Sequence, residues 1–126
     1  MSITHTILNQ WANGNNILNG TVTTVSDNES NDSSTYPITA TDYVRAVGIP
    51  TQGGRLKSIY MLSTTDLTVK TNTTVGVDTI VLKANVPWVW TVSWGAVPFT
   101  ADITSLRLTG TNPAAGQFDM RALYSA

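Results

Sequence analysis

The stretch Gln117–Tyr124, QFDMRALY, alternates with a period of two. Phe118, Met120, Ala122 and Tyr124 fall on one side, and Asp119, Arg121 and Leu123 on the other. This is the pattern of a β-strand with one face on a core. Working back along the chain, shorter segments of the same kind recur. Ile103–Thr109 places Leu106 and Leu108 about Arg107, Asp78–Lys83 puts Ile80 and Leu82 on one face, and Leu67–Lys70 alternates around Thr68. Leu56–Leu62 (LKSIYML) reads as a strand buried on both sides. Tyr43–Ile49 (YVRAVGI) is closed by Pro50 and the pair Gly53-Gly54. Thr35–Ala40 holds Pro37, which suits an edge or bent segment, and Thr21–Ser26 (TVTTVS) has strand composition. Eight or nine short strands at this spacing predict an all-β chain, an antiparallel sandwich of jelly-roll or Greek-key type with about eight strands. A small barrel is the alternative. No segment fits a helix of ten or more residues, which excludes βαβ units.

Composition agrees. Of 126 residues, 21 are Thr, 10 Ser and 10 Asn, whereas Glu occurs once and Lys three times. Thr and Val lose side-chain freedom in helices and sit well on a pleated surface. Charged residues make up 12% of the chain against about 25% in an average soluble domain, and the formal net charge is −1. A near-neutral surface gives no electrostatic attraction to nucleic acid or to an anionic membrane. No apolar run approaches the roughly 20 residues of a membrane helix. Met1–Gln10 has neither the basic nor the apolar region of a signal peptide, so a soluble product of the cytoplasm is expected.

The chain divides into an N-terminal arm, residues 1–20, and a single β-sandwich domain, residues 21–126. In the arm, Ile7, Leu8 and Trp11 have the spacing of one helical turn with an apolar face. Asn13-Gly14 and Asn19-Gly20 read as turns. Asp27–Ser34 (DNESNDSS) contains no apolar residue and three of the eight acids, and reads as a polar loop.

Signals of chemistry are weak. With no Cys there is neither a disulfide nor a thiolate. The single His, His5, lies in the arm, where no third group is evident to hold it as a base. Asp66, Asp78, Asp102 and Asp119 sit at strand ends or on polar strand faces, where turn and ion-pair roles are ordinary. Asp27, Glu29 and Asp32 offer hard carboxylate oxygens within one loop, yet their spacing does not match an EF-hand. No enzyme activity, cofactor or metal site is expected.

One feature stands out. Trp88, Trp90 and Trp94 lie two and four residues apart in Pro87–Trp94, so on a continuous strand they share a face with Val92. Such a stripe can be core, a subunit interface anchored by aromatic rings, or a platform for sugar rings. Ile7, Leu8 and Trp11 of the arm join Trp88, Trp90 and Trp94 as candidate interface residues.

The polar arm (SITHTILNQWANGNN), the stretch LKSIYMLSTTDLTVKTNT, the segment DTIVLKANVPWVW and the closing strand QFDMRALYSA together resemble a small structural protein of a tailed bacteriophage, most nearly a capsid decoration (cement) protein. The resemblance covers roughly Leu56–Tyr124 and involves no universal motif. It implies a virion protein on the capsid surface. Such a protein is commonly a homotrimer, binds the major capsid protein and bridges neighbouring subunits. A carbohydrate-binding module or tail-fibre adhesin using the Trp stripe is the alternative.

Overall fold

Alternation of apolar and polar residues, repeated in segment after segment, produces ten strands in the computed structural model, which describes residues 2–13, 16–36, 39–111 and 116–125. They are β1 (Ile3–Asn13), β2 (Asn16–Ser26), β3 (Asn28–Tyr36), β4 (Thr39–Ile49), β5 (Leu56–Ser63), β6 (Leu67–Thr71), β7 (Thr79–Leu82), β8 (Trp88–Thr91), β9 (Ile103–Thr111) and β10 (Gly116–Tyr124). Among the described residues the only helical element is a 3₁₀ turn at Val92–Trp94. Among the described residues no helix is long and apolar enough to cross a membrane.

Eight strands form two four-stranded antiparallel sheets, β3-β10-β5-β8 and β4-β9-β6-β7. The path is that of an antiparallel ribbon wound on itself. β3 pairs with β10, β4 with β9, β5 with β8 and β6 with β7. Winding then brings β10 beside β5 and β9 beside β6. This is the jelly-roll order, so the expected all-β sandwich is the architecture observed.

Facing sides of the sheets make the core. β10 contributes Phe118, Met120 and Ala122, β5 contributes Leu56, Ile59 and Met61, and the second sheet answers with Val69, Leu82, Leu106 and Leu108, all buried. Burying one such side chain stabilises the fold by about 1.5–3 kcal/mol. Two buried hydroxyls close the edge: Tyr36 Oη and Ser63 Oγ lie 2.6 Å apart. Gly116 is required beside this ring, because a Cβ there would lie 2.2 Å from the Tyr36 side chain. Gly53 and Gly54 carry φ of 68° and 72° between β4 and β5, a left-handed path that favours glycine. The Asp102 carboxylate ties that turn down by accepting the N–H groups of Thr51 and Gln52 and a bond from Arg55. These donors, the two backbone amides first, hold its carboxyl below the usual range.

Three sequence expectations change. The Ile7, Leu8 and Trp11 segment is strand, not a helical turn: β1 pairs with β2 from Ile3↔Ser26 to Asn13↔Asn16. Asn19-Gly20 lies within β2 rather than at a turn. Asp27–Ser34 is not a loop, because Asn28 onward is edge strand β3, laddered to β10. An edge strand with hydroxyl and carboxyl side chains carries no apolar period to read, although its backbone pairing is complete along one side.

Candidate functional site

The outer face of the first sheet is where the molecule departs from a plain sandwich. Strand register sets three cross-sheet rows there. One runs Glu29–Leu123–Ser58–Thr91, the next Asn31–Arg121–Tyr60–Val89, and a third holds Ser33, Asp119 and Leu62. On a solvated sheet face an apolar side chain such as Leu123 would be exposed. Here it is 0% exposed and stands apart from the main core.

The cover is the β1–β2 hairpin, a two-stranded sheet of its own. Its alternation presents Ile3, His5 and Ile7 of β1, and Val22, Thr24 and Ser26 of β2, to the sandwich, while Thr4, Thr6, Leu8, Thr21, Thr23 and Val25 face away. His5 makes the central contact. Its Nδ1 lies 2.7 Å from Ser58 Oγ and its Nε2 lies 2.8 Å from Glu29 Oε2. Glu29 and Ser58 flank Leu123 in the same row, so the imidazole bridges over that leucine. Across the hairpin from His5, Thr24 Oγ1 is 3.1 Å from Thr91 Oγ1 at the other end of the row.

The ionised Glu29 carboxylate only accepts, so Nε2–H donates to it. With a neutral ring, Ser58 O–H donates to Nδ1. The His5 hydrogen bond is the main reason the Glu29 carboxyl sits below its ordinary value. Partial burial opposes this, while Asn31 and the charges of His5 and Arg121 add to it.

Ser58, His5 and Glu29 have the hydrogen-bond polarity of a Ser–His–carboxylate set. Their placement does not suit acyl transfer. Ser58 is 1% exposed beneath the hairpin. It lies inside the sheet, paired to Leu123 on one side and Thr91 on the other, so the ladder around it supplies no oriented pair of free amides for an oxyanion. In this closed arrangement the cluster joins two parts of the fold. The sequence signal for it was the alternation Ile3-Thr4-His5-Thr6-Ile7, which places His5 on the same face as two isoleucines.

Beside the cluster, a groove of about 250 Å³ runs between β1 and the sheet, with Tyr60, Val89 and Arg121 in its lining. It continues into a cavity of about 430 Å³ lined by Thr6, Ile7, Leu8, Tyr60, Pro87, Val89 and Trp94.

The chain matches no family model, no curated protein and no solved structure.

The candidate interface residues are therefore placed by this geometry alone. Ile7 and Trp94 line the larger cavity, and Leu8 borders it with its side chain largely exposed. Trp88 and Trp90 do not join them. Trp90 is buried in the core, and Trp88 packs against it with its ring edge-on to Phe99, centroids 6.0 Å apart. The continuous Trp stripe is thus corrected. Strand β8 ends at Thr91, and the 3₁₀ turn redirects Trp94 to the surface, 47% exposed. The cause lies in the neighbour: Ser58↔Thr91 is the last β5–β8 pair, and Lys57 beyond it is the extra residue where β5 slips register against β10. The Trp11 side chain lies outside the described residues; its backbone pairs with Leu18.

The three acids of the supposed loop diverge. Asp27 is exposed and bonds to neighbouring Ser26 and Asn28. Glu29 turns to the hairpin. Asp32 turns inward and accepts from Arg45 of β4 at 2.9 Å. Among the described residues no group of three His, Cys, Asp or Glu side chains could hold a metal ion.

Proposed function

We propose that the protein is a structural virion component. In this reading it binds the outside of a phage capsid, bridges neighbouring capsid subunits and acts as a homotrimer without catalysis. The observation that carries this is the hairpin. Two 11-residue strands reach roughly 36 Å at about 3.3 Å per residue, far more than is needed to cover one leucine. Among the described residues neither β1 nor β2 pairs with any other strand, so both outer edges offer backbone donors and acceptors to a partner strand. Its outward side shows Leu8 and Val25, 64% and 55% exposed.

Jelly rolls occur among viral capsid domains and also among lectins, and a fold hosts many functions. The fold therefore allows the reading without carrying it. Low charge supports it further, because Thr and Asn surfaces can be covered by a neighbour without the several kcal/mol that each unpaired buried ion costs. The implied partners are the major capsid protein and other copies of this chain. Native mass and co-sedimentation with capsid shells test the reading. The expected result is a trimer that sediments with shells and fails to do so when residues 1–26 are removed. A monomer with no affinity for any shell overturns it.

A second reading is favoured by Trp94, which lies half-exposed beside Tyr60 and Pro87 in the 430 Å³ cavity. Aromatic faces in such a setting stack on sugar rings. Trp fluorescence quenched by a glycan, and no longer quenched in Trp94→Ala, would establish this reading. Silence across a broad glycan panel removes it.

A further inference from the structure

The hairpin is held to the sandwich in an unusual way. It belongs to neither four-stranded sheet. Among the described residues, the hydrogen bonds that fix it run between side chains: His5 to Ser58, His5 to Glu29, and Thr24 to Thr91. Moving it would break no backbone ladder. It joins the body through one residue, Asp27, between the last residue of β2 and the first of β3. Asp27 is exposed, and among the described residues its side chain bonds to adjacent Ser26 and Asn28. The hinge side chain thus bonds to its chain neighbours alone among the described residues, and rotation about one or two residues redirects all of β1 and β2.

We propose that in the assembled protein the hairpin is exchanged: residues 3–26 of each copy lie on the first sheet of the next copy, closing a ring. The occupant of this sheet face is a second copy of the chain. Its fit is shown by the hairpin already seated on this face, with the His5 imidazole over Leu123 and Thr24 on Thr91. Exchange reproduces each of these contacts between chains. It needs no contact surface beyond the one the hairpin already covers. Exchange of an identical element is a low-cost route to an oligomer, and the connector here is a single residue between two complete strands. This inference rests on the reading of the protein as a self-associating assembly module.

The chain has no cysteine, so a paired substitution reports cleanly. Thr24→Cys with Thr91→Cys places two thiols where hydroxyl oxygens are 3.1 Å apart. The oligomer is oxidised and run on a denaturing gel without reductant. Exchange predicts bands of two and three covalently joined chains that collapse to one on reduction. Internally linked single chains from a sample that is oligomeric by native mass overturn exchange and leave the assembly reading standing. A monomer overturns exchange as well. A cross-linked ring that binds no shell supports exchange and overturns the capsid role instead.

A second measurement holds if the cysteine pair disturbs folding. Inserting Gly-Ser-Gly-Ser after Asp27 in the otherwise unaltered chain lets the hairpin fold back freely. It is expected to raise the dissociation constant of the oligomer about tenfold or more, by favouring the intramolecular contact. An unchanged constant overturns the proposal.

Discussion

The two outer faces of the jelly roll are built from similar residues and have opposite fates. On the first sheet, the row Glu29–Leu123–Ser58–Thr91 lies under the hairpin, and its leucine is fully buried. On the second sheet, the row Val44–Arg107–Lys70–Thr79 and its neighbour Thr109–Thr68–Val81 have no covering element among the described residues. Val44 and Val81 are more than half exposed there. Both faces mix apolar side chains with polar and charged ones, Leu123, Tyr60 and Val89 on the first and Val44 and Val81 on the second. The difference is one histidine and its two partners. An imidazole long enough to reach from β5 to β3 turns a solvated face into a second, small core, and a hydroxyl pair completes the closure.

That contrast can be broken in stages. The largest effect is expected at the leucine itself. Leu123→Ala should destabilise by about 2–4 kcal/mol, as for other buried leucines, in urea or guanidinium unfolding. A cost close to that of a surface change would mean the hairpin does not cover it. Removing residues 1–26 exposes the same side chain without deleting it. A loss of about 1.5–3 kcal/mol is expected, with a single cooperative transition retained; loss of cooperativity would show that the hairpin belongs to the main core.

His5→Ala should cost about 1–2 kcal/mol, since it leaves a carboxylate and a buried hydroxyl without their partner. It should also speed proteolysis within residues 1–26 while leaving the sandwich resistant. Equal protection of the two regions in that variant would contradict the bridging role.

Acid gives a graded version of the same test. The Glu29 carboxyl is shifted down from an ordinary value of 4.5. Its contribution is therefore fully present above the unfolded value and is lost as pH falls through the lower folded value. The stability difference between the wild type and Glu29→Gln should be constant near neutrality and shrink below about pH 4.5. A difference that grows on acidification has the wrong sign. The smallest effect is expected on the bare face, where Val81→Thr should change stability by no more than about 0.5 kcal/mol.

These residues also show what could be read beforehand. The sandwich was legible because its inner positions are apolar at strict alternation: Phe118, Met120 and Ala122 of β10 announce their face without any partner in view. Strand β3 was not legible. Its inward positions Ser30, Asp32 and Ser34 are polar, satisfied by an edge location and by Arg45. Periodicity cannot report a strand held by backbone pairing alone. In the hairpin, Ile7, Leu8 and Trp11 matched a helical spacing by coincidence, and the covered face depends on contacts between residues 24 to 67 positions apart. Trp94 left its stripe because of a register slip on another strand, which no local reading of Pro87–Trp94 contains.

The bridge over Leu123 has a mechanical consequence. A pull on the hairpin acts on the chain at Asp27, and so reaches β3 at Asn28, which pairs with Tyr124 at one end of the β3–β10 ladder. Load applied there peels the ladder one rung at a time, the geometry in which a sheet resists force least. Glu29 is the second rung. As long as His5 holds Glu29 and Ser58 together, the tug is shared with β5 in the interior of the sheet before the first strand can open. The side chain that closes the surface also lies across the seam where tearing would start.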